Sequence, residues 1–129
     1  MKKKFLIVIA NYYKDISSGL LVSAKELIPK NCKLKIIKVP GVFEIPVTIS
    51  KNIKKYDAFI ALGCVIKGQT PHFDFISQAS IDAIMKLSID HKKPVGNGII
   101  TCLNFKQAKA RKKKGNEATK AVLSILSQK

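Results

Sequence analysis

The stretch GQTPHFD, residues 68–74, sets one of the chain's two histidines at the mouth of a strand-to-helix turn. Thr70 suits an N-cap and Pro71 suits the first helical position, so His72 falls in the first turn. The positive end of the helix dipole disfavours imidazolium there and leaves the ring able to accept a proton. The amides of Gln69, Thr70 and the first turn form a cradle for an anion, most naturally a phosphate, and Gly68 lets the backbone come close. A general base beside a phosphate cradle is the chemistry this spacing suggests. A surface histidine beside a capped helix fits the stretch alone equally well. His91, at the far end of the same helix, reads as solvated.

Three further places carry chemistry. Arg111 is the only arginine among 24 basic side chains. Its planar fork can grip a phosphate or carboxylate in two places at once, as a lysine cannot. VPGVFEIP (39–46) puts Phe43 and Glu44 just after a Pro-Gly turn, where core and helix-start roles are as natural as ligand contact. NYYKD (11–15) puts Tyr12 and Tyr13 after the first apolar run, where a ring can stack on a planar heterocycle or sit as an ordinary loop aromatic.

The elements that must position these residues alternate. KFLIVIA (4–10), CKLKIIKV (32–39), AFIALGCVI (58–66) and GNGIITC (96–102) read as strands, mostly continuous apolar runs as in buried parallel sheets. Helices are expected from Ile16 to Ile28, over FEIPVTISKNI, from Pro71 to His91, from Phe105 to Lys114 and from Asn116 to Ser127. This order predicts one domain over 1–129, a three-layer α/β/α sandwich on a mostly parallel four-stranded sheet. Ligands of such sheets bind beyond the carboxyl ends of the strands, which gathers 10–13, 39–44, 64–72 and 102–104 on one rim. The middle helix is apolar on two sides. Ile76, Ala79, Ala83, Ile84 and Leu87 are expected against the sheet, and Ile81, Met85 and Ile89 against a second subunit.

Composition narrows the classes. No apolar run approaches the length of a membrane span, and the basic start lacks a signal-peptide cleavage pattern. Cys32, Cys64 and Cys102 are odd in number and far apart, without CxxC or Cys/His spacing. They argue against a zinc site or a disulfide framework and for free thiols in a reducing cytoplasm. The net charge of +16 admits an anionic substrate or nucleic acid. The basic tract around Arg111 has no interleaved aromatics for base stacking, so nucleic acid is disfavoured.

Taken together, VPGVFEIP, YDAFIALGCVIKGQTPHFDFIS, PVGNGIIT and QAKARKKKGNEA resemble the 6,7-dimethyl-8-ribityllumazine synthases of riboflavin biosynthesis, in the family's order and over nearly the whole chain. The resemblance implies a flavodoxin-like fold and a cofactor-free, metal-free transferase. Such an enzyme joins 5-amino-6-(D-ribitylamino)uracil to 3,4-dihydroxy-2-butanone 4-phosphate, releasing phosphate and water. It implies a homopentamer with sites between subunits. The expected particle stays a pentamer rather than a sixty-subunit shell, since only MKK precedes the first strand. By resemblance, Tyr12 stacks on the pyrimidine and Val42, Phe43 and Glu44 line the ring and ribityl chain. Cys64, Val65 and Ile66 hold the pyrimidine edge. Gln69, Thr70 and Arg111 bind the phosphate of the same site, and His72 transfers protons. The chain departs from the family pattern at Asn11, at Asn97 (a substrate-lining position usually aromatic) and at Glu117.

Overall fold

The computed structural model describes residues 2–68 and 71–128. Four parallel strands, β1 (Lys4–Ala10), β2 (Lys33–Val39), β3 (Ala58–Ile66) and β4 (Val95–Cys102), form one sheet in the order β2-β1-β3-β4. β1 and β3 lie in the middle and are buried on both faces, which is why their sequences are apolar without alternation. β2 lies at the edge and alternates, with Lys33, Lys35 and Lys38 exposed.

One face carries α1 (Lys14–Lys25) and α5 (Lys114–Leu126), and the short α4 (Phe105–Ala110) also buries Ala108 there. Phe5, Ile7 and Ile9 of β1 meet Ile16, Leu20, Ala118 and Val122 in that layer. The other face carries α2 (Ile45–Asn52) and α3 (His72–His91), with Leu6 and Val8 against Ile45, Ile49 and Ile84. Both layers are held chiefly by removing such side chains from water, roughly 1.5–3 kcal/mol for each large one fully buried. The result is a three-layer α/β/α sandwich of flavodoxin-like type. Among the described residues no helix is long and apolar enough to cross a membrane.

Several boundaries differ from the sequence reading. The expected helix 105–114 ends at Ala110, and Arg111 is its C-cap residue; Lys114 and Gly115 open α5 instead. Gly115 permits this because a Cβ there would run into the Leu20 carbonyl of α1. The first helix starts two residues early, at Lys14, and stops at Lys25. A 3-10 turn, Val42–Glu44, precedes α2, so the helix begins only at Ile45 with Pro46 in its first turn. α3 begins at His72 with Pro71 in the N-cap position; the expected cap, Thr70, lies outside the described residues.

α3 also packs differently. Its buried residues are Ser80 and Ile84, while Ala79, expected on the sheet, is exposed. The second expected stripe is open: Met85 and Ile89 are exposed and Ile81 half-buried.

Candidate active site

The strand order reverses direction between β1 and β3, from which the chain runs outward to β2 on one side and β4 on the other. At such a switch point the connections part and leave a crevice beyond the carboxyl ends of the strands. A cleft of about 610 Å³ lies there, lined by Tyr12, Tyr13, Gly41, Val42, Phe43, Glu44, Cys64, Val65, Ile66, His72 and Ile76. Its walls therefore come from the segments after β1, after β2 and at the end of β3, together with the first turns of α3.

Backbone contacts hold these walls. The Asn11 amide donates to the Val39 carbonyl at 2.9 Å, prolonging the β1–β2 ladder by one residue. The buried Ser17 hydroxyl donates to the Ala10 carbonyl at 2.6 Å and ties α1 to the end of β1. The tyrosine pair is thus fixed at both flanks. On the opposite wall, Gly63 lets the 3-10 turn sit on β3, since a Cβ there would stand 2.7 Å from Cγ2 of Val42. Val42 is consequently buried, while Phe43 projects with 63% of its surface exposed. The Thr48 hydroxyl donates to the Glu44 carbonyl at 2.8 Å, anchoring the residue whose carboxylate reaches the cleft. On the far side of the cleft the amides of Asp74 and Phe75 donate to the Pro71 carbonyl, at 3.1 and 3.2 Å, and close the turn that carries His72.

The cleft holds two thiol-bearing or phenolic groups that burial keeps protonated. Burial pushes the Cys64 thiol up to about 12, and the neighbouring Cys102 adds to the rise. Burial also raises Cys102, against the opposing pull of the Arg111 guanidinium. Tyr13 is raised by burial first, then by Tyr12 and Cys64. A thiol held this far above neutrality is a poor nucleophile, so Cys64 serves the cleft as an apolar wall. Tyr12, Glu44 and His72 are the other titratable side chains that line the cleft. Cys64 and Cys102 are buried free thiols and Cys32 is half-buried. Among the described residues no group of three or more His, Cys, Asp or Glu side chains could hold a metal ion.

Seven of the expected site residues on the described chain — Tyr12, Val42, Phe43, Glu44, Cys64, Val65 and Ile66 — join His72 in this cleft. Gln69 and Thr70 lie outside the described residues. Arg111 and Asn97 do not reach it. They line a separate concavity of about 490 Å³ between β4, α5 and the α4–α5 turn, with Thr101, Lys113, Lys114 and Glu117. Within one chain Arg111 and His72 therefore lie in separate concavities. The reason is topological, because β4 is an edge strand with β3 between it and the switch point.

In this second concavity Arg111 is exposed and donates to the Thr101 carbonyl at a long 3.5 Å. Glu117 sits near Lys114, 3.9 Å apart. Asn97 turns its side-chain oxygen back to accept from the Ile99 amide at 3.0 Å. The sequence reading did not single out Tyr13 above Tyr12, nor Ile76, as cleft residues. The tandem Tyr-Tyr was the available signal for the first, and nothing local distinguished the second.

The family model for 6,7-dimethyl-8-ribityllumazine synthase matches residues 2–129. The chain belongs to this family. Its activity is that of a 6,7-dimethyl-8-ribityllumazine synthase, a transferase of riboflavin biosynthesis. It is 43% identical over 136 residues to 6,7-dimethyl-8-ribityllumazine synthase 1 of Rhodopseudomonas palustris, spanning 95% of this chain and 83% of the relative. It is 39% identical over 141 residues to the synthase of Agrobacterium fabrum, spanning 99% and 95%. The synthase of Bartonella bacilliformis is 41% identical over 134 residues, spanning 96% and 88%.

Proposed function

We propose that the chain condenses 5-amino-6-(D-ribitylamino)uracil with 3,4-dihydroxy-2-butanone 4-phosphate, releasing phosphate and water, in a site assembled from two copies. The observation that carries this is the separation of His72 and Arg111 into two concavities of one chain, neither of which holds both a proton-transfer group and a phosphate fork. A neighbouring copy that lays its β4–α5 concavity over the cleft unites them.

In that arrangement Tyr12 stacks on the pyrimidine, and Val42 and Phe43 flank the ring and ribityl chain. Glu44 accepts from ribityl hydroxyls, and the backbone of Cys64, Val65 and Ile66 meets the pyrimidine edge. Gln69 and Thr70 bind the phosphate with Arg111 of the neighbour, whose Asn97 adds part of the wall. His72 moves protons during attack of the amine on the ketone, loss of water to the imine, and departure of phosphate. Holding two reactive substrates in register supplies much of the rate, with proton transfer as an added factor. No cofactor takes part.

The assembly is a homopentamer. Exposed Phe75, Met85 and Ile89 along α3, with Ile125 on α5 and Val47 on α2, support an extensive self-interface. The chain works as one domain in the cytoplasm, where its three cysteines stay reduced.

A turnover assay with both substrates, following lumazine absorbance and phosphate together, tests the reaction. Mixing tests the shared site. His72→Asn and Arg111→Ala chains, each impaired alone, should recover about a quarter of wild-type activity when unfolded and refolded together in equal amounts, because random assembly rebuilds that share of sites. Recovery no greater than the sum of the two separate variants would mean each site is built by one chain.

A further inference from the structure

Tyr12 is 74% exposed, and its ring-to-ring contact among the described residues is with Tyr13, met edge-on at 4.8 Å and 81°. Tyr13 is half-buried on the α1 side of the core. Its ring in turn lies 6.3 Å from that of Phe105, tilted by 59°. Phe105 is the first residue of α4 and lines neither the cleft nor the Arg111 concavity.

The base of this row is well fixed. The Asn104 side chain accepts from the Gln107 amide at 2.9 Å, and the Gln107 side chain accepts from the Leu103 amide at 2.8 Å. Together these bonds close the start of α4, the second taking up the amide just before the N-cap residue. Ala108 is fully buried beneath the helix, and Lys109 Nζ lies over the Phe105 ring, 4.9 Å from its centre. From this ring, itself 42% exposed, the contacts run outward through Tyr13, first tilted and then edge-to-face, to Tyr12. With most of the Tyr12 surface in water, the Tyr13 ring is the aromatic neighbour that restrains it among the described residues.

We propose that Phe105 is a positioning residue: acting through Tyr13, it holds the Tyr12 ring in the orientation against which the pyrimidine stacks. The inference rests on the reading of Tyr12 as the stacking surface. A ring already oriented loses less side-chain freedom on binding, so the brace acts on affinity for the pyrimidine and not on the chemical step. The butanone phosphate, which does not meet Tyr12, is indifferent to it. α4 also carries Arg111 at its end, so a general loosening of the helix would register in the phosphate substrate as well.

The test is steady-state kinetics on Phe105→Ala, Phe105→Tyr, Tyr12→Ala and the Tyr12→Ala/Phe105→Ala double variant. Phe105→Ala should raise KM for the pyrimidine about three- to tenfold, the scale of an aromatic pair. kcat and KM for the butanone phosphate should stay within about twofold. Phe105→Tyr should restore the wild-type KM, and Phe105→Ala should add nothing in the Tyr12→Ala background. An unchanged pyrimidine KM in Phe105→Ala, with Tyr12→Ala still raising it, overturns the brace and leaves the stacking role of Tyr12 standing. Additive effects in the double variant, or equal losses for both substrates, make Phe105 merely structural and overturn it too. If Tyr12→Ala itself leaves the pyrimidine KM unchanged, the stacking role fails and the brace with it.

Discussion

The cleft that holds His72 and the concavity that holds Arg111 are built in different ways. The switch-point cleft is floored by strands buried on both faces, and a buried serine and an extended strand ladder fix its rim. The Arg111 concavity sits on an edge strand, and its cationic side chains, Arg111, Lys113 and Lys114, hang from a turn and a helix start with a long contact at 3.5 Å and a loose pair at 3.9 Å. One half is preorganised by the core; the other is a set of charges whose order must come from what meets them. That difference suits the chemistry. A heterocycle and a proton donor need fixed geometry, whereas a phosphate is gripped by forks and charges that close on it.

If the halves belong to different copies, breaking the assembly should cost the most. Met85→Glu places a charge on the exposed apolar stripe of α3. Light scattering should report wild-type particles near five chains and single chains for the variant, with activity abolished, because an unpaired charge cannot be buried in an interface. A wild-type particle of one chain would end the two-copy reading.

His72→Asn strikes the ordered half alone. It should keep fold, assembly and binding of both substrates while lowering kcat by about 10²–10⁴, or less where holding the substrates together dominates. Unchanged turnover from pH 6 to 8, ~ two units about neutrality, would remove His72 from proton transfer.

Arg111→Lys strikes the other half, and more gently. A point charge keeps the attraction but loses the two-point grip, so KM for the butanone phosphate should rise about tenfold with pyrimidine binding intact. Equal kinetics would show that charge alone suffices there.

The smallest effect concerns the cleft wall. Burial and the neighbouring Cys102 raise the Cys64 thiol from its ordinary value of 9.0 to about 12. The unfolded chain therefore releases this proton at lower pH than the folded one. The contribution is fully present below about pH 9 and is lost as pH rises toward the folded value. Melting temperature should fall over that window, and Cys64→Ala should fall less steeply, a difference that isolates the thiol from the many lysines. Parallel curves would show that Cys64 ionises alike in both states.

The sequence by itself determined the layers and the rim. Continuous apolar runs in β1 and β3 specify strands covered on both faces, and strands alternating with helices specify a parallel sheet, so the segments after β1, β2 and β3 had to share one end. VPGVFEIP and GCVIKGQTPHFD were legible for that reason, being strand ends followed by turn signals. Ala79 misled because it fits the helical period as well as Ser80 does, and hydrophobicity alone cannot rotate a helix by one residue. The break at Arg111 was hidden by a run of good helix formers, and it is set by the fit of Gly115 against α1. Only the tertiary structure decided that Arg111 and Asn97 stand apart from His72. Strand order fixes that distance, and strand order depends on which faces pack together rather than on any local run of residues.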